Sequence, residues 1–330
     1  MLSKIDKKIA VLGTGGTIAG TAASAGDNIG YTAAQIGVAQ LLAAIPALAQ
    51  LPCTLVTEQV AQVDSKDMGC AIWQALAARV AHFLAQPEVA GVVITHGTDT
   101  LEETAYFLHA VLPAELVARK PVVLTCAMRP ATAMAPDGPQ NLMDAFAVAL
   151  APKAAGVLAV CAGTLHSALD VQKVHPYRLD AFNSGDAGPL GFVEENAVRL
   201  TRNWPLAPVG IAQVAMHNIA NVKLWPRVEI VVSHAGASGA MVDAILAQAA
   251  AGHADPVRGI VVAATGNGTV HQDLQAALLR AQAAGIKVLR ATRCAEGRVL
   301  PVARSLFSDS QGLSPVKARI DLMLSLLSLL

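Results

Sequence analysis

Ile9-Ala10-Val11-Leu12-Gly13-Thr14-Gly15-Gly16-Thr17-Ile18-Ala19-Gly20 decides how the chain is read. Residues 9–13 form an apolar run that ends in glycine, as expected of a strand covered on both faces. A glycine-rich turn follows at once and presents two hydroxyls, Thr14 and Thr17. The strand pattern recurs downstream at residues 54–60, 91–95, 121–125 and 156–161. Amphipathic helices lie between these runs. In one, Ile72, Leu76, Val80 and Phe83 share a face; another opens at Thr100-Leu101-Glu102-Glu103 as a capping box. Strands alternating with helices predict a mostly parallel sheet with helices on both sides.

Beyond it, the stretch 201–226 holds Pro205, Pro208 and Pro226, shows little periodicity, and reads as a linker with room for a short strand. The alternation then resumes, with strands at 228–233, 259–264 and 286–291 and helices at 241–250, 272–284 and after Ser314-Pro315, where proline follows a serine cap. The expected organisation is α/β throughout. A larger N-terminal domain over 1–200 is followed by a linker at 201–226 and a smaller C-terminal α/β domain over 227–330. A length of 330 residues suits two unequal domains.

Composition narrows the function. Hydrophobic residues make up 54% and charged residues 15%, which supplies a large core and argues against disorder. Aromatics are only 4%, so small aliphatic side chains must fill that core. Lys+Arg and Asp+Glu balance at 24 each, with no run of like charge. Nucleic acid and anionic membranes are therefore not expected partners. Apolar stretches are interrupted, as by Pro152-Lys153, and none reaches spanning length. The five cysteines are scattered without a CxxC, and the nine histidines form no ligand motif, so neither metal nor cofactor is expected. Free thiols and the absence of a signal-peptide core at the N-terminus point to the cytoplasm.

Four polar clusters carry chemistry. The loop at 13–20 fails as a dinucleotide fingerprint, because GxGxxG from Gly13 would need a small residue where Ile18 stands, and no Walker lysine follows. It is either a plain tight turn or a mobile loop presenting Thr14 and Thr17. In Ile94-Thr95-His96-Gly97-Thr98-Asp99-Thr100, a strand ends and a helix begins. Gly97 permits close backbone approach there. The helix N-terminus favours an anionic Asp99 and can support an oxyanion nearby, or Asp99 is a cap and nothing more. Ala127-Met128-Arg129-Pro130 follows another strand, and its arginine more often braces a loop than binds a ligand. In Asp170-Val171-Gln172-Lys173, the lysine taken alone is a solvated charge.

Together, Gly15-Gly16-Thr17-Ile18-Ala19-Gly20 and His96-Gly97-Thr98-Asp99-Thr100 resemble the paired threonine signatures of bacterial-type L-asparaginases and asparaginase/glutaminases. Asp64-Ser65-Lys66-Asp67-Met68, Ala127-Met128-Arg129-Pro130, Asp137-Gly138-Pro139, Asp170-Val171-Gln172-Lys173, Gly188-Pro189-Leu190 and Gly266-Asn267-Gly268 follow in the family's order. The resemblance implies the two-domain α/β fold and a homotetramer built from tight dimers. It also implies hydrolysis of the side-chain amide of L-asparagine, with L-glutamine as a second substrate. Thr17 matches the nucleophile and Tyr31 the residue that closes over it. Thr98, Asp99 and Lys173 match the second threonine and its acid–base partners. Ser65 and Asp99 match the grip on the substrate's charged head, to which Lys66, Gly97 and Ala127 are added by position in the same motifs. Asn267 matches a residue offered by a neighbouring subunit.

The chemistry agrees with these roles. A threonine hydroxyl needs a base before it attacks, and such help is worth about 10²–10⁴ in rate. The residues alone leave open whether Thr17 or Thr98 attacks first; the glycines around Thr17 favour it by allowing loop motion. Two positions depart from the family. Lys66 stands where Gln or Glu is usual, and no glutamate appears in 298–310, where Val299 and Leu300 stand. Both bear on ammonium recognition and so on substrate preference. Two other readings compete: a nucleotide-binding oxidoreductase module, and a subunit of a tRNA-dependent amidotransferase. The first lacks the glycine register and the second a basic surface.

Overall fold

The computed structural model describes residues 7–205 and 216–328. They fall into two compact units, residues 7–205 with 216–220, and residues 221–328. Residues 206–215 of the expected linker lie outside the described residues. Within its described part a short helix stands at Met216–Asn221, in a stretch free of proline.

In the first unit the elements run β1 (Lys8–Gly15), α1 (Val38–Ala43), β2 (Thr54–Val63), α2 (Cys70–Leu84), β3 (Val89–Thr95), α3 (Leu101–Val111), α4 (Ala114–Val117), β4 (Val122–Thr125), α5 (Gly138–Leu150) and β5 (Val157–Cys161). Short strands follow: β6 (Thr164–Ser167), β7 (Gln172–Lys173), β8 (Phe182–Asn183), β9 (Gly191–Glu194) and β10 (Ala197–Leu200), before α6 (Met216–Asn221). Eight strands form one sheet in the order β10-β9-β6-β5-β4-β3-β1-β2. The five from β2 to β5 are parallel, and β6, β9 and β10 continue the sheet antiparallel.

The burial pattern explains the order. Ile9, Ala10, Val11 and Leu12 are wholly buried, as a central strand with helices on both faces requires. On one face Ile9 and Val11 pack with Val93, Val123, Phe146 and Leu158. At the edge, β2 alternates between exposed and half-buried positions.

The sequence reading missed the antiparallel extension. The apolar stretch from 154 to 165 turns back on itself, with Cys161 opposite Thr164 and two residues between. Ala162 (φ 48°) and Gly163 (φ 71°) supply the left-handed pair that such a hairpin needs. The capping box at Thr100 is also not formed. Its hydroxyl donates to the Ser65 carbonyl at 2.7 Å instead, so a tertiary bond replaces the local cap.

The second unit comprises β11 (Arg227–Val232), α7 (Ala240–Ala250), β12 (Val257–Ala264), α8 (Gln272–Ala283), β13 (Lys287–Thr292), β14 (Ser308–Asp309) and α9 (Pro315–Leu327). Its four strands are parallel in the order β11-β12-β13-β14. Val242, Ile260, Val262, Leu274, Leu278 and Val288 make its core. α9 begins with Pro315 as expected, but the Ser314 side chain does not cap it. Among the described residues no helix is long and apolar enough to cross a membrane.

Candidate active site

The strand order places the site. β1 lies between β2 and β3, so the chain leaves β1 for one neighbour and reaches the other only later. Connections departing on opposite sides open a crevice at the carboxyl ends of β1 and β3, where open α/β sheets bind ligands. Gly13 and Thr95 face each other at that end, and Thr14 Oγ1 donates to the Thr95 carbonyl at 3.0 Å.

Two loops meet there through glycine. Gly15 (φ 99°) and Gly16 (φ 81°) take conformations that a side chain resists. Gly16 donates to the Val63 carbonyl at 2.9 Å. A Cβ on Gly16 would fall onto the Gly97 backbone, and one on Gly97 would lie 2.7 Å from the Ser65 Cβ. The chains therefore touch backbone to backbone, and the next residue on each side is a threonine, Thr17 and Thr98.

Thr17 is buried and starts a single 3₁₀ turn, Thr17–Ala19. Its Oγ1 lies 2.6 Å from the hydroxyl of Tyr31. Paired backbone bonds between Thr21 and Thr32 hold that tyrosine in place, and its ring lies over Gly20. Burial pushes the Tyr31 phenol above its usual range, with Asp64 and Asp99 adding to the shift against the Thr17 hydrogen bond. Tyr31 is thus a neutral phenol that can pass a proton, not a standing phenolate.

Thr98 has a different partner. Lys173 Nζ donates to Thr98 Oγ1 at 2.8 Å and to Asp99 Oδ1 at 2.6 Å. The Thr98 hydroxyl faces the same carboxylate oxygen at 3.4 Å. Lys173 sits on β7, whose two-residue pairing with β8 fixes the backbone that carries it. The lone lysine of the sequence is therefore a member of a triad, not a solvated charge.

Ser65 follows β2 and is buried. Its Oγ accepts from the Asp99 amide at 3.2 Å, which leaves its own proton to donate. The Thr98 amide has no hydrogen-bond partner among the described residues. Ala127 is buried beyond β4. Gly138 packs between Ala127 and Ile18, the neighbour of Thr17. Asp137 accepts from the Met128 and Arg129 amides at 2.9 Å each, and Arg129 donates to the Ala135 carbonyl, so this arginine braces its loop.

Lys66 is the outlier. Its side chain is 63% exposed and pairs with Asp64 at 2.6 Å and Asp67 at 3.5 Å. Asn267 lies in the second unit, between the left-handed glycines Gly266 and Gly268, where its side chain holds the Leu300 backbone (Oδ1 accepts at 2.7 Å, Nδ2 donates at 3.4 Å). Sequence reasoning gave no role to Trp73, Thr104 or the imidazole of His96, which form a buried chain of hydrogen bonds beneath the Gly97-Thr98 peptide. The available signal was the histidine at the end of an apolar strand run, directly before Gly97 and Thr98. Among the described residues no group of three His, Cys, Asp or Glu side chains could hold a metal ion.

Comparison with known proteins agrees along the length. Residues 8–206 match the family model "Asparaginase, N-terminal" and residues 227–328 match "Glutaminase/Asparaginase C-terminal domain". L-asparaginase 2 of Bacillus subtilis (strain 168) is 35% identical, with 96% of this chain and 82% of that protein aligned. Glutaminase-asparaginase of Pseudomonas fluorescens biotype A is 37% identical over 96% of this chain and 86% of its own length. The crystal structure described as a probable cytoplasmic L-asparaginase from Campylobacter jejuni superposes with a TM-score of 0.86 at 36% identity, covering 97% of this chain and 95% of that one.

Proposed function

The chain belongs to the asparaginase/glutaminase family, and from that premise and the geometry above we propose that it is an amidohydrolase that releases ammonia from the side chain of L-asparagine, and of L-glutamine, through an acyl-enzyme on Thr17. The observation that carries the reading is a pair of threonine hydroxyls on touching loops, each hydrogen-bonded to its own proton-transfer partner.

Thr17 Oγ1 attacks the amide carbon, and its proton leaves along the contact with Tyr31. The unpartnered Thr98 amide, in a buried peptide, is a donor for the developing oxyanion. Collapse expels ammonia, whose extra proton comes from the relayed hydroxyls. Water then attacks the ester on the side of Thr98; as the ester bond breaks, Thr17 Oγ1 takes back a proton passed through Tyr31 from the new carboxylic acid, which leaves as the carboxylate. Asp99 accepts from both Thr98 and Lys173, so a proton taken up by the Thr98 oxygen has a carboxylate to go to. Ser65 Oγ–H and Asp99 bind the substrate's α-carboxylate and α-ammonium. No cofactor enters any step.

The motif Gly266-Asn267-Gly268, read by its resemblance, supports a homotetramer in which Asn267 of a neighbouring copy contributes to each site, and the Campylobacter relative supports a cytoplasmic location. Ammonia release from L-asparagine, L-glutamine and their D-forms by the purified protein tests the activity. No release from either L-amide above the uncatalysed rate refutes it.

A further inference from the structure

Below the Gly97-Thr98 peptide runs a chain of three side chains drawn from two helices and a strand end. Trp73 on α2 donates from Nε1 to Thr104 Oγ1 at 2.8 Å. Thr104 on α3 lies 2.9 Å from His96 Nε2, and His96 Nδ1 lies 2.7 Å from the Gly97 carbonyl oxygen. His96 and Thr104 have no exposed surface, and Trp73, 3% exposed, is stacked on Phe107 with centroids 5.0 Å apart.

The ends of the chain fix every proton in it. An indole N–H can only donate and a carbonyl can only accept. The Gly97 end therefore requires the proton on His96 Nδ1. In a neutral ring Nε2 is then an acceptor, and the single Thr104 proton goes to it. A charged ring would make Nε2 a second donor onto Thr104 and leave the Thr104 proton without a partner. Burial also holds the imidazole at about 4, so it is neutral at pH values above that.

We infer that His96 is a positioning residue for catalysis, locked in its Nδ1–H tautomer by Thr104 and Trp73, and that it sets the plane of the Gly97-Thr98 peptide. A peptide is planar and trans, so its C=O and N–H point in opposite directions. Pinning the Gly97 carbonyl inward to His96 aims the Thr98 amide outward, on the residue whose hydroxyl meets Lys173. The inference rests on the amidohydrolase reading for its catalytic consequence, and on geometry alone for the peptide orientation.

Thr104→Val and Thr104→Ser separate the relay from packing. Valine keeps the shape of threonine and removes the hydroxyl; serine keeps the hydroxyl and removes a methyl. Steady-state kinetics on L-asparagine should show kcat falling at least tenfold in Thr104→Val, with KM within twofold of the parent. Thr104→Ser should stay within threefold in kcat even where its melting temperature drops as far. Loss of activity that tracks melting temperature across the two variants, or a Thr104→Val enzyme with parental kcat, overturns the inference. A crystal structure of Thr104→Val decides the geometry without turnover. A rotated Gly97-Thr98 peptide supports the inference, and an unchanged one refutes it. A parent enzyme inactive on both amides would sink the functional reading and leave the peptide orientation to that structure.

Discussion

His96 should make the protein's stability depend on pH in a defined window. Its imidazole is fully buried, and desolvation, the largest effect, opposed by the Gly97 hydrogen bond, brings it from 6.5 to about 4. Below pH 6.5 the unfolded chain takes up a proton that the folded chain refuses until about pH 4. Unfolding is therefore favoured progressively as pH falls through that window. A shift of about 2.5 units at ~1.4 kcal/mol each gives about 3.5 kcal/mol, absent above pH 7, mostly developed by pH 4 and complete below it. The perturbation is His96→Gln, which keeps one donor and one acceptor but does not titrate. Urea unfolding of parent and variant at pH 7, 6, 5 and 4.5 should give free energies that converge as pH falls, because the parent alone carries this penalty. The difference should change by about 1.4 kcal/mol per pH unit in mid-window. His96→Asn serves as a second non-titrating variant. Parallel curves across the window would refute the assignment of a neutral buried imidazole, and with it the proton order of the relay.

Thr17→Ala should fold as the parent does and lose at least about a thousandfold in ammonia release, since the other hydroxyl at hand, Thr98, is held by Lys173 and faces Asp99; activity within tenfold would reassign the nucleophile. Tyr31→Phe keeps the ring over Gly20 and removes only the 2.6 Å contact; kcat should fall by about 10²-fold with KM little changed, as for loss of an acid–base partner, and an unaltered kcat counts against the proton path. Lys66→Gln should move KM less than twofold, because its ammonium is spent on Asp64 and Asp67 in solvent; a several-fold change would return it to the substrate. Light scattering at assay concentration should give a tetramer, and a fully active monomer would remove Asn267 from the site.

What was legible in the sequence follows from how far each signal reaches along the chain. The central strands announced themselves because strands buried on both faces must be continuously apolar, as residues 9–13 and 91–95 are. The β5–β6 hairpin was hidden for the opposite reason. Both strands are largely buried, so only Gly163-Thr164 marks the turn, and Ala162 takes a left-handed conformation that its side chain does not advertise. The Thr100 box failed because a capping pattern is local, while the actual acceptor is the Ser65 carbonyl, 35 residues away. Lys173 is the extreme case. Nothing in Asp170-Val171-Gln172-Lys173 points to a partner 75 residues earlier, and only the ordered set of motifs, read as a resemblance, supplied one. The same resemblance carried Lys66 to the substrate by position, but the structure gives its charge two aspartates beside it.

On the proposed mechanism, the glycine contact explains why two threonines would serve one reaction. Each hydroxyl needs a different proton partner, a phenol for Thr17 and a lysine–carboxylate pair for Thr98, and one loop cannot present both without crowding them. Two loops from β1 and β3 can, because adjacent parallel strands end side by side at the point where the chain departs both ways. Bringing those loops within reach of one amide requires their backbones to touch, and only glycine at positions 16 and 97 lets them. Close approach fixes distance but leaves the peptide planes free to rotate. The Val63 carbonyl removes that freedom on the first loop and the His96 imidazole on the second. The two threonine hydroxyls thus sit one residue beyond two glycines whose flexibility has been cancelled from below, and under the proposed mechanism the loops would meet the substrate with their donors already aimed.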